Sequence, residues 1–323
     1  MLKYIGKRII QFIPVFFGVT LILFLISNYM PGVDPVQMKV GEKRVTPELR
    51  AAIEKEYGLD QPWYFQYGNY LARLTRGDLG RSVLTGRPVK AIILEKYPFT
   101  LKLALVAIAI EAVLGVGAGI ISAVKQRSFW DILVTLATSI SVSLPVFWLG
   151  LILQYVFGIW MKNASGGVFF LPISGASGPL PTWMYYVLPA LTLACVSTAY
   201  TARITRSQLL EVQNMDFVRT AKAKGLSARR ILWGHEMKNA LIPVVTYIGI
   251  DFGIMLAGAI FTETVFNWPG IGFTLSRAIF QRDFQVIIGI TTVVLLLVML
   301  INLLVDISYA FLDPRIRFGG MEE

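Results

Sequence analysis

The chain has a single cysteine, a single histidine and little charge, and each scarcity excludes something. Cys195 has no partner for an internal disulfide, and one thiol cannot supply a zinc cage. His235 has Glu236 beside it but no cysteine or second histidine to converge with, so it reads as a surface or packing residue. No G-x-x-x-x-G-K-[ST] occurs, so the lysine-bearing loop that cradles nucleotide phosphates is missing. Gly115, Gly117 and Gly119 imitate part of G-x-G-x-x-G, but they lie in an apolar run without an acidic ribose contact, which points to helix packing. Neither a Ser-His-Asp set nor H-E-x-x-H appears. The chain is therefore expected not to be an enzyme by itself and to bind no cofactor; any driving energy must come from a partner.

Charged residues make up only 15% of the chain, against about 25% in soluble globular proteins, while 55% are hydrophobic. Val286–Leu304 runs nineteen residues without a charge and Ile9–Ile26 runs eighteen, long enough for a hydrocarbon core about 30 Å thick. The net charge of +10 does not indicate nucleic acid, because the basic residues cluster at the ends of apolar runs. Lys3, Lys7 and Arg8 before the first run imitate a signal peptide. The run is longer than the usual h-region and has no A-x-A site before Pro31, so it is expected to stay as a membrane helix.

Six spans are expected: 9–29, 99–124, 132–159, 184–204, 241–261 and 285–309. Short-loop charge sets their direction. Lys3, Lys7 and Arg8 precede the first span, Lys125 and Arg127 separate the second and third, and Arg315 and Arg317 follow the sixth. Residues 203–240 carry eight Lys/Arg against three acids, whereas 160–183 carry only Lys162. Both termini and the 203–240 loop are thus expected to be cytoplasmic. Residues 30–98 form a long external segment, which charge does not orient. Thr46 and Pro47 predict an N-cap and first helical residue there, and Gly58 a stop. A second helix is predicted from Asp60 and Pro62 to Gly77, then a turn-rich GDLGRSVLTGRPV and a short helix ending before Pro98.

Within the spans, Gly115/Gly119 and Gly249/Gly253 are small-xxx-small pairs suited to close helix approach, and Pro145 predicts a kink. Glu111 and Asp251 fall at membrane depth, where a charge is costly unless it faces a wet path or a partner. Either role fits them: lining a translocation path, or pairing inside the bundle. Glu263 and Asp306 lie near span ends and read as interfacial.

The stretch FVRTAKAKGLSARRILWGHEMKNALIP, 217–243, interrupts this apolar chain with a helix–glycine–helix pattern. Apolar Phe217, Val218, Ala221, Leu226, Ile231 and Leu232 alternate with Arg219, Lys222, Lys224, Arg229, Arg230 and Lys238 about Gly225, with Ser227 as a second N-cap. A positive loop on anionic lipid would need only the charge. Small Ala221 and Ala223 near the tip fit a knob for a protein groove better.

Asp216–Leu226, DFVRTAKAKGL, resembles the cytoplasmic loop of ATP-binding-cassette importer permeases, in the form of the dipeptide/oligopeptide/nickel branch. PGVDPV at 31–36, GDLGRS at 77–82, PVFWLG at 145–150, TETVFNWPGIG at 262–272 and LDPRIR at 312–317 are similar to the same branch. The resemblance implies an all-α integral membrane protein with the six-helix fold of type I importer permeases and a small external subdomain. The implied partition is a first helix over 1–29, an external subdomain over 30–98, a permease core over 99–312 with its coupling loop at about 205–240, and a tail over 313–323. It implies a bacterial or archaeal cell membrane, a second homologous permease, two ATP-binding subunits carrying ATP and Mg, an external solute-binding protein and a peptide substrate. Asp216, Arg219, Thr220, Ala221, Lys224, Gly225 and Leu226 would then form the coupling helix that docks on the ATPase. Arg219 stands where the broader family has a glutamate, so no contact ascribed to that carboxylate transfers. A nickel, glutathione or oligosaccharide importer, or an ion-coupled secondary transporter using Glu111 and Asp251, remains an alternative.

Overall fold

A computed structural model describes residues 2–29, 34, 36–37, 45–257 and 259–312. Among them the secondary structure is helical, apart from an isolated bridge between Arg81 and Pro88. The chain opens with α1 (Leu2–Tyr29) and two short helices, α2 (Pro47–Tyr57) and α3 (Trp63–Thr75). Then come α4 (Val89–Val124), α5 (Phe129–Ser143), α6 (Val146–Ala164) and α7 (Thr182–Val212). The second half holds α8 (Asp216–Ala223), α9 (Ala228–Leu256), α10 (Ile260–Val265), α11 (Ile271–Phe280) and α12 (Phe284–Leu312). α4, α7, α9 and most of α12 are each long and apolar enough to cross a membrane. α1 contributes the apolar stretch Ile10–Ile26, and α5 with α6 forms a bent pair.

The helix punctuation over residues 45–77 reads as expected. Thr46 caps α2 by accepting from the Leu49 N–H at 3.3 Å, and Gly58 stops it at φ 62°. α3 follows Pro62 and ends at Thr75. Most of PGVDPV and LDPRIR, and the 313–323 tail, lie outside the described residues.

Three spans differ from expectation. α4 starts at Val89 and runs straight through Pro98, so no separate helix ends there. Val89, Ile92 and Ile93 are buried against Ile271, Ala278, Val286 and Ile290, and that packing outweighs the backbone bond a proline forfeits. The expected third span is turned by 108° at Leu144–Pro145 rather than kinked. Leu144, held extended before the proline ring, ends α5, and Pro145 is itself extended before α6 begins. Hydroxyls of Ser139, Ser141 and Ser143 donate to carbonyls four residues back, which further loosens the end of α5. The fifth span stops at Leu256, and Phe261 belongs to the separate α10.

α7 is the hub and packs against α4, α5, α6 and α9. Beside Leu188 and Leu209, most of its buried residues are small: Ala190, Ala194, Ala199, Ala202, Thr192, Thr201 and Thr205. A Cβ on Gly119 would stand 2.6 Å from the Ala202 carbonyl oxygen, and one on Gly115 2.8 Å from Thr201, so α4 and α7 approach as only glycine permits. Gly249 and Gly253 similarly meet Val305 and Ile301 of α12. Large apolar side chains point outward instead, among them Phe17, Val113, Leu136, Trp148 and Ile254, as befits a bundle solvated by lipid.

Candidate functional site

The basic loop is a built structure. Met215 enters α8 with extended backbone, and Thr220 Oγ1 donates to the Asp216 carbonyl at 2.9 Å. At the other end the Gly225 N–H bonds to the Lys222 carbonyl at 3.0 Å and the Leu226 N–H to the Ala221 carbonyl at 3.3 Å. With Gly225 at φ 73°, these two bonds make a Schellman motif, the six-to-one and five-to-two pair that closes a helix through a left-handed residue. Leu226 supplies the accompanying apolar contact, packing on the cluster that holds Ala221. Ser227 occupies the N-cap position of α9, but its hydroxyl makes no cap bond.

One face of α8 is fastened inward. Val218 and Ala221 are buried among Leu209 and Val212 of α7, Ile231, Met237 and Ala240 of α9, and Ala123 of α4. α8 therefore rests on the ends of three long helices at once. Its other face is open: Asp216, Phe217, Arg219, Thr220, Lys222, Ala223, Lys224 and Gly225 are exposed. Arg219 lies 3.5 Å from Asp216, but both side chains are largely in solvent, so the pair adds little. Of the residues singled out by resemblance, Asp216, Arg219, Thr220, Lys224 and Gly225 share the open side, Leu226 is half-buried, and Ala221 is turned into the bundle.

Beside this loop lies a cluster that motif reading missed. Asp131, at the start of α5, is almost fully buried and accepts from Arg206 Nε at 2.9 Å, Arg206 Nη2 at 3.0 Å, the Arg127 N–H at 2.9 Å and the Ser122 hydroxyl. The fork of Arg206 meets both carboxylate oxygens, the geometry in which an ion pair is strongest. The cluster ties α4, α5 and α7 together. Its sequence signal is faint but present: Asp131 is the sole acid in an otherwise basic link between two apolar runs.

At mid-bundle, a π-helical turn over Glu111–Gly115 carries Glu111 into the α4–α7–α9 seam. Glu111 is fully buried, accepts from Thr201 Oγ1 at 2.6 Å and lies within hydrogen-bonding reach of Asp251 on α9. The two acids expected separately at membrane depth are thus brought together.

At the opposite end, Glu263, expected near a span end, is fully buried within the protein. It accepts from Thr100 Oγ1 at 2.6 Å and from the Phe273 N–H at 2.9 Å, at the N-terminus of α11, where a negative charge is favoured. Thr100 in turn accepts from the Ile271 N–H at 2.8 Å, and Trp268 donates to the Phe99 carbonyl at 3.1 Å. The TETVFNWPGIG stretch is thereby a clasp on the first turns of α4. GDLGRS is another, with Ser82 Oγ donating to Asp283 at 2.6 Å ahead of α12. The Asp306 side chain lies outside what is described.

The profile of the family described as "Binding-protein-dependent transport system inner membrane component" matches residues 115–318, and its N-terminal companion matches residues 1–104. The di/tripeptide transport system permease protein DppB of Pseudomonas aeruginosa (strain UCBPP-PA14) is 41% identical, over 98% of this chain and 99% of its own length. The dipeptide transport system permease protein DppB of Escherichia coli (strain K12) is 36% identical over 98% and 99%. The glutathione transport system permease protein GsiC of Escherichia coli O6:H1 is 38% identical over 98% and 100%. In fold, the chain resembles one chain of the crystal structure of an amino acid ABC transporter with histidines, at a TM-score of 0.52 and 14% identity, covering 68% of this chain and 94% of that one.

Proposed function

The chain belongs to the binding-protein-dependent transport system inner membrane components, and on that premise we propose that it is the permease subunit of an ATP-driven importer of dipeptides and short oligopeptides. The observation that carries the reading is α8, whose basic outer face is open while its inner face is fastened to α4, α7 and α9. Such a helix can receive the movement of a cytoplasmic ATPase and pass it to three spans together. Asp216, Arg219, Thr220, Lys224, Gly225 and Leu226 form the contact, and Ala221 lets α8 lie close on the bundle. ATP and Mg reside on two ATPase subunits, a second homologous permease completes the path, and an external binding protein delivers the cargo. Both termini and α8 are cytoplasmic, as the loop charges favour.

ATP binding and release switch the permease pair between outward- and inward-facing states. The seam holding Glu111 and Asp251 borders the path and opens during that switch. The segment 30–98 forms an external subdomain that helps receive the binding protein. The peptide reading is supported by the names of the relatives at 41% and 36% identity. A second reading, glutathione import, is supported by the relative at 38%. The test is uptake of labelled dipeptide by the complex reconstituted with its neighbouring ATPase, permease and binding-protein subunits. ATP-dependent uptake that excess unlabelled dipeptide abolishes and glutathione does not is the expected result. Uptake that needs an ion gradient instead of ATP would overturn the proposal.

A further inference from the structure

Glu111 and Asp251 meet without a counter-charge among the described residues. Glu111 is fully buried and Asp251 is 8% exposed. Glu111 Oε2 and Asp251 Oδ2 are both buried and without a hydrogen-bond donor. Among the described residues, no lysine, arginine or histidine forms an ion pair with either carboxylate. Among the described residues, Tyr247 on α9 is the other ionisable group beside the pair, its ring 6.4 Å from that of Tyr200 on α7; Thr201 on α7 is the neutral donor.

Two carboxylates in contact within a low-dielectric interior cannot both ionise, since repulsion and lost hydration each oppose the second charge. One shared proton answers both difficulties, because it gives one side chain a donor and gives both vacant oxygens a partner. We propose that Glu111 and Asp251 bind a single proton between them, an acid–carboxylate bridge that pins α9 to α4 and releases the proton when those helices part. The proton passes to water, leaving two solvated carboxylates, and it is taken up again when the seam closes. Only the release step rests on the seam opening during transport; the bridge belongs to the packed bundle and is measured apart from uptake.

The test uses the whole transporter complex in lipid nanodiscs. In infrared spectra at neutral pH, the wild type shows the carbonyl stretch of a protonated carboxylic acid, and this band titrates away as pH is raised. In difference spectra it is lost in Glu111→Gln and in Asp251→Asn, because an amide N–H fills the bridge and leaves the remaining carboxylate ionised. Glu263→Gln leaves that band in place. ATP-driven uptake by the wild type falls over the pH range in which the band disappears, whereas any uptake retained by the amide variants does not follow that range. If the amide variants fail to assemble, the wild-type titration decides alone: an intact complex with no such acid band overturns the bridge. A band unchanged in both assembled variants also overturns it. So does ionisation of both acids with a dependence on sodium or potassium, which would make the site a metal-cation site. A raised apparent KM for cargo in Asp251→Asn with an unaltered pH profile would give the pair to the cargo's ammonium group instead.

Discussion

Gly225 holds φ at 73°, and a Cβ there would find no neighbour within 4 Å. A substitution at this position therefore probes backbone conformation and outward contact rather than internal packing. Leucine in the left-handed region costs about 1–2 kcal/mol, whereas asparagine tolerates it. Gly225→Leu is expected to insert normally but lose ATP-driven uptake, and Gly225→Asn to retain most of it. Equal uptake by the two variants would remove the Schellman turn from the coupling argument. Asp131 presents the opposite case, a residue whose worth is internal. Asp131→Ala leaves the Arg206 guanidinium without its partner, and with that side chain 32% exposed the expected loss is about 1–3 kcal/mol. Arg206→Met added to Asp131→Ala should recover part of it, since it removes the stranded charge. Thermal melts of the purified complex read both; a double variant less stable than the sum of the singles would contradict the ion-pair account.

Elements differ in how far their own residues announce them. α2 is legible because its cap chemistry is local: Thr46, Pro47 and Gly58 act within their own turns. The Gly115/Gly119 pair is legible because close approach demands the absence of a side chain on one face. α4 passing through Pro98 was not legible, since the decision is made by α11 and α12, which bury its first turns from far along the chain. The inward turn of Ala221 likewise depends on where α7 and α9 end. The burial of Glu263 was not legible for a related reason: with the fifth span stopping at Leu256, the acid falls on α10 and turns back onto the α11 N-terminus. Nor does the sequence announce the π-helical turn that points Glu111 at Asp251. The α4–α7 seam permits a sharp test. A methyl on Gly119 collides with α7 backbone, while one on Gly117 meets nothing within 4 Å. Gly119→Ala should destabilise by about 1–3 kcal/mol, and Gly117→Ala should be neutral. Equal melting temperatures would mean that the helices do not approach as closely as described.

At the scale of the whole molecule, the two faces of α8 make separable contributions. The outer face carries Arg219, Lys222 and Lys224, and the inner face carries Val218 and Ala221. If the outer face recognises an ATPase, reversing its charge should abolish assembly: Lys222→Glu with Lys224→Glu should insert normally but fail to co-purify the ATPase subunits. If the inner face transmits force, loosening it should spare assembly and damage coupling. Val218→Ala removes two methyl groups from a side chain that is 0% exposed among residues of α4, α7 and α9, a loss of about 1–2 kcal/mol. That is too little to unfold a bundle of this size, yet it falls where a displacement of α8 must be resisted for the three helix ends to follow. The expected outcome is a complex of normal composition that hydrolyses ATP at the wild-type basal rate, while uptake stimulated by loaded binding protein falls severalfold. Parallel loss of assembly in both variants would mean that α8 is one undivided contact, and that motion reaches the bundle by another route.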